Sequence, residues 1–185
     1  MAMPRYRPLH LCLLILVIYT TPSIGLLNGT ELLKAACNQT SDYAFCYATL
    51  TADPNAGGPQ ALAGDLANAA LRLAQTKATH AQSLIPVLLQ NATTSLDHNR
   101  LQMCQSSNNK AISQLSSANN DFNSDSLDTM VEEINTAARA TNDCLNEIQD
   151  KGTHFSLLAT INADLIKLYE ICIVSTRYFT VEDLY

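Results

Sequence analysis

A chain of 185 residues with 47% hydrophobic residues is long enough to bury one substantial core and short for two. Its formal net charge of −6, from 11 basic and 17 acidic residues, excludes the clustered basic face that a nucleic-acid or polyanion binder needs. Six glycines, six prolines, seven tyrosines, four phenylalanines and no tryptophan argue against a turn-rich, aromatic β-sandwich and for an all-α protein.

Residues 1–25 read as a secretory signal peptide. Arg5 and Arg7 precede the apolar run from Leu11 to Tyr19, and the small residues Ser23 and Gly25 suit cleavage. The run is far short of the roughly 20 apolar residues that span a bilayer, so no membrane association is expected after cleavage. Loss of Arg5 and Arg7 would take the net charge from −6 to −8. Three Asn-x-Thr sequons follow, at Asn28, Asn38 and Asn91, and in a secreted chain they are candidate glycan sites.

The first predicted element past the signal is a small hairpin within 26–55. Cys37 and Cys46 on one continuous helix would lie about 13 Å apart on opposite sides, too far to bond, so a turn must separate them if they pair. Asn38-Gln39-Thr40-Ser41 supplies that turn, with Ser41 or Asp42 available to cap a second short helix.

Four amphipathic stripes follow over 59–178, and predict an antiparallel up-down four-helix bundle. The first takes Leu62, Leu66, Ala69, Ala70, Leu73, Leu84 and Leu88, with Pro86 expected to kink or end it. The second takes Leu101, Cys104, Ala111, Ile112, Leu115 and Ala118, and the third Leu127, Met130, Val131, Ile134, Ala137, Ala138, Thr141, Cys144 and Ile148. The fourth takes Phe155, Leu158, Ile161, Leu165, Leu168, Cys172 and Ile173. The connector between the second and third is centred at Asn120 to Asn123, which places Cys104 and Cys144 opposite each other in that hairpin. Cys12 leaves with the signal, and of the fifteen ways that the five remaining cysteines can form two bridges, spacing and periodicity favour Cys37–Cys46 and Cys104–Cys144, with Cys172 on an apolar stripe as a buried, unpaired thiol.

This pattern of cysteines and helices resembles the plant invertase/pectin methylesterase inhibitor family. The local text carries the likeness further: Asp42-Tyr43-Ala44-Phe45-Cys46, Leu50, Asp53-Pro54, Leu66-Ala67, Ala70, the Cys104 segment, and Thr136-Ala137-Ala138 ahead of Cys144. The resemblance covers about residues 32 to 178. It implies an apoplastic inhibitor of a plant carbohydrate-active enzyme, with pectin methylesterase as the expected partner and acid invertase as the alternative. It also implies docking through the second and third bundle helices, with Asn120, Asp121, Phe122, Asp125, Asn135 and Thr136 as candidate contact residues.

In the family's invertase inhibitors the connector carries Pro-Lys-Phe. Here Asn120 and Asp121 stand at the proline and lysine positions, reversing a charge, while Phe122 matches the phenylalanine. The sequence also departs at Asn108, where family members often have tyrosine, and at Cys144-Leu145-Asn146-Glu147-Ile148, where they often have an acidic pair and then phenylalanine. A third reading keeps the scaffold and assigns it a signalling or structural role without enzyme inhibition.

Asp121-x-Asn123-x-Asp125 with Glu132 has the spacing of a calcium loop, but Ser126 sits where its sharp turn needs glycine. The plainer expectation is that Ser124 or Asp125 caps the third helix and Asp128 favours its positive end. The stretch 121–133 holds five acidic and no basic residues, which suits steering toward a basic partner. The isolated histidines His80, His98 and His154 support no metal site, and no nucleophile motif, phosphate loop or carboxylate pair supports a catalytic residue, cofactor or small-molecule substrate.

Overall fold

The computed structural model describes residues 28–179, so the expected signal peptide at 1–25 lies outside the described residues. Two short helices, α1 (Gly29–Cys37) and α2 (Tyr43–Thr51), form the N-terminal hairpin. Four long ones build the bundle: α3 (Ala63–Asn91), α4 (Ser95–Asn123), α5 (Leu127–Ile148) and α6 (Ser156–Thr176).

Side-chain capping sets both starts of the hairpin. Asn28 Oδ1 accepts from the Glu31 amide and Asp42 Oδ1 from the Phe45 amide, each satisfying one orphan donor of the first turn. Of the two caps expected for the second helix, Asp42 is the one used. Cys37 and Cys46 are bonded across the intervening turn, with Cα atoms 5.4 Å apart. At Gly29 a Cβ would lie 2.3 Å from the Gly58 carbonyl oxygen, so only glycine lets α1 pass this close to the loop before α3.

Cross-helix pairs fix the direction of each bundle helix. Gln75 donates to the Leu115 carbonyl and Asn108 to the Ala78 carbonyl, so α3 and α4 run antiparallel. The Cys104–Cys144 bond, with Cα atoms 4.4 Å apart, ties α4 to α5. Tyr169 opposite Thr141 and Asn162 opposite Cys144 orient α6 against α5, and Lys77–Asp164 with Cys172–Ala67 orients it against α3.

The core of α3 differs from the expected stripe. Leu62 is an exposed helix N-cap, and Leu73, Leu84 and Leu88 are half-buried. The buried line runs instead through Leu66, Ala70, Ala74, Ala78, Ala81 and Ile85. Alanine here brings α3 close to α4 and α6, and the leucines fill the flanks where the cylinders diverge. Nor does α3 end at Pro86. It continues to Asn91, because Pro86 is exposed and removes a single ladder bond near the end of a long helix packed along its length.

Buried polar groups cross the core in pairs. Thr141 Oγ1 and Tyr169 OH lie 3.2 Å apart, and burial pushes the Tyr169 phenol up to about 12, so it stays protonated. Asn162 Nδ2 donates to Cys144 Sγ over 3.1 Å. Cys172 is 1% exposed, and its thiol, facing the Ala67 carbonyl at 3.6 Å, is pushed up to about 12 by burial. A thiol held protonated in an apolar wall is neither nucleophile nor ligand.

Candidate partner-binding face

The tip between α4 and α5 lies later in the chain than expected. Residues 120–123 are the last turn of α4, and the connector is 124–126. The polar text suggests a loop, but Asn123 Nδ2 donates back to the Asn119 carbonyl over 2.8 Å, so a residue favoured in turns here serves the helix. Termination comes at Asp125, whose φ of 57° is left-handed, while the Ser126 amide closes on the Asp121 carbonyl at 2.9 Å. Neither Ser124 nor Asp125 caps α5. Ser126 holds the N-cap position without a side-chain cap bond, and Asp128 occupies the first turn.

The candidate contact residues fall into two groups. Asn120, Asp121, Phe122 and Asp125 surround the tip, with Asn120 and Asp125 exposed. Phe122 is half-buried and turned edge-to-face onto Phe179, with ring centroids 6.3 Å apart, so its ring serves packing as well as surface. Asn135 and Thr136 lie further along α5. Asn135 is exposed, while Thr136 Oγ1 donates to the Glu132 carbonyl at 3.0 Å and accepts from Arg139 at 2.7 Å.

Charge is divided unequally over the molecule. The α4–α5 hairpin, 95–148, holds eight acidic and three basic residues, whereas the rest of the described chain holds seven and six. On the balanced side four of the seven acidic residues are in ion pairs: Glu31 with Lys34, Asp42 with Lys167, Asp53 with Arg72, and Asp164 with Lys77. Among the described residues, Asp121, Asp125, Asp128, Glu132 and Glu133 make no ion pair. Three or more His, Cys, Asp or Glu side chains do not converge as a metal site anywhere among those residues.

Further along the same face, Met103, Ser106, Ser107, Asp143, Asn146 and Glu147 line an open groove of about 350 Å³ beside the Cys104–Cys144 bridge. Sequence reasoning did not single it out. The signal was Met103, an apolar residue off the expected stripe, which is 51% exposed.

The three sequon asparagines are all exposed, and none is on α4 or α5. Asn28 and Asn38 flank α1, and Asn91 ends α3 with Nδ2 donating to the Val87 carbonyl at 2.8 Å.

Two carboxylates outside the tip carry a pH consequence. The Phe45 amide and the Lys167 ammonium hold Asp42 below its usual value, and the Thr94 hydroxyl and Arg100 do so for Asp97. Such groups bind more protons unfolded than folded, so their stabilisation is complete above the unfolded pKa of about 3.9 and is lost as pH falls below it. Lys167, raised mainly by Asp42, contributes below about pH 10 and loses its contribution above it. Melting temperature followed against pH should therefore fall below about pH 4, and Asp42→Asn with Asp97→Asn should shallow that fall.

These features define a disulfide-stapled helical bundle with one acidic, unpaired face. The sequence model of the plant invertase/pectin methylesterase inhibitor family matches residues 31–175, and the chain belongs to that family. Family members are inhibitors rather than enzymes, and are extracellular and cell-wall proteins.

Solved structures agree at the level of the fold. A mutant form of a pectin methylesterase inhibitor from Arabidopsis superposes with a TM-score of 0.72 at 18% identity, covering 80% of this chain and 97% of that one. A pectin methylesterase inhibitor from Arabidopsis thaliana gives 0.62 at 17% identity, covering 80% and 96%. No curated protein sequence matches the chain. No helix among the described residues is long and apolar enough to cross a membrane.

Proposed function

We propose that this chain is a secreted inhibitor of pectin methylesterase that lays the α4–α5 face across the enzyme's substrate cleft in a one-to-one complex. The observation that carries the reading is the concentration of unpaired acidic residues on α4 and α5, which suits a basic partner. The similar solved inhibitors are inhibitors of pectin methylesterase, which points the same way. The invertase reading loses support on two counts. Asp121 stands where a lysine would serve it, and the Phe122 ring packs on Phe179 rather than standing clear. In this proposal residues 1–25 direct secretion, and glycans at Asn28, Asn38 and Asn91 leave the α4–α5 face bare.

The test is methyl ester release from pectin by a plant pectin methylesterase, titrated with the protein beside sucrose hydrolysis by an acid invertase. Stoichiometric loss of methylesterase activity alone is the expected result. Loss of sucrose hydrolysis alone would transfer the assignment to invertase. Indifference in both would leave a helical bundle with a signalling or structural role.

A further inference from the structure

The residues just past α6 touch two parts of the molecule that the sequence keeps far apart. The Gln39 side chain, in the turn between α1 and α2, uses both ends of its amide on this segment: Oε1 accepts from Arg177 at 3.1 Å, and Nε2 donates to the Tyr178 hydroxyl. The turn is held to α6 by three more bonds, one of them from the Ser41 hydroxyl to Glu170 at 2.5 Å. Glu170 accepts from the Ser41 amide at 2.9 Å, and Lys167 Nζ lies 2.9 Å from Asp42 Oδ2. The next residue, Phe179, sets its ring against Phe122 in the last turn of α4, at an interplanar angle of 81°. The backbone between is a tight turn, with the Tyr178 amide on the Ser175 carbonyl and the Phe179 amide on the Thr176 carbonyl.

We propose that segment 177–179 is a brace through which the Cys37–Cys46 hairpin holds the α4–α5 tip in shape, with Gln39, Tyr178 and Phe179 as positioning residues for Phe122 and the connector. The disulfide closes the turn that carries Gln39, so Gln39 is presented from a rigid loop. Gln39 fixes Tyr178 and Arg177, which leaves Phe179 little freedom to leave Phe122. Phe122 in turn lies in the turn whose carbonyls hold the Ser124, Asp125 and Ser126 amides. Each link is a short contact, and the chain of contacts is continuous from the hairpin to the tip. Its bearing on inhibition rests on the reading that this tip meets the enzyme; the brace itself does not.

Amide hydrogen exchange tests the two separately. Gln39→Ala and Phe179→Ala each should speed exchange at Ser124, Asp125 and Ser126 by about three- to tenfold, the factor expected on loosening one hydrogen bond or ring contact of a locally opening turn. The Lys151 amide, bonded to the Ile148 carbonyl at the opposite end of the bundle, should keep its rate. Gln39→Glu should restore slow exchange, because a carboxylate can still pair with Arg177 and accept from the Tyr178 hydroxyl. Unchanged exchange at the tip in both alanine variants would overturn the brace, as would an equal rise at Lys151. Faster exchange with undiminished inhibition would uphold the brace and defeat the docking reading instead.

Discussion

Replacing Cys104 and Cys144 together by serine is expected to lower stability by about 4 kcal/mol and the melting temperature by about 10 °C, because the bridge closes a loop of 40 residues that the unfolded chain would otherwise explore freely. The same change at Cys37 and Cys46, separated by nine residues, should cost about 3 kcal/mol on the same reasoning. Thermal unfolding followed by circular dichroism orders the two. All four cysteines are buried alike, so what widens the gap is the Asn162 amide that donates to Cys144 Sγ. A larger loss from the hairpin bridge would show that loop entropy is not the main term. Its stabilisation would then come from the contacts that turn makes with α6.

Much of this architecture was legible in the sequence, for reasons that can be stated residue by residue. Cys104 and Cys144 sit at matching distances from a polar connector and on apolar stripes, which puts them opposite each other in any antiparallel hairpin. The turn between Cys37 and Cys46 follows from helix geometry alone. The α3 core was less legible, because leucine dominates a hydrophobicity pattern while alanine decides how closely helices approach. The tip was misplaced because Asn, Asp and Ser read as turn residues, although in the last turn of a helix their side chains can bond backward to the backbone, as Asn123 does.

Tertiary partners were not legible at all. Asn108 stood out only as a departure from the family's tyrosine, yet it is buried and bonded to the Ala78 carbonyl. Asn162 looks like a solvent-facing residue until its partner Cys144 is known, and Thr141, although on the apolar stripe, gives no sign of its Tyr169 partner. The acidic face was visible as a run of charge. Its lack of compensation was not, because pairing on the opposite side depends on contacts such as Asp53 with Arg72 that no local pattern encodes.

That lack of compensation sets the second large expected effect. Asp128 and Glu132 are exposed, one turn apart on α5, and unpaired among the described residues, so Asp128→Lys with Glu132→Lys inverts the local field without breaking a contact in the core. Association with a basic pectin methylesterase should slow by about 10- to 100-fold at low ionic strength, while dissociation changes far less, because long-range charge governs encounter more than residence. Raising the salt to about 0.5 M should bring variant and wild type together, as screening shortens the reach of the field below the width of the interface. Surface plasmon resonance at two salt concentrations measures both rates. Glu31→Lys, on the balanced side of the molecule, should leave association nearly unchanged. Equal slowing by Glu31→Lys would mean that net charge alone steers the encounter and that α4–α5 is not the docking face. Faster dissociation from the α5 variant at high salt would instead place Asp128 or Glu132 within the contact itself.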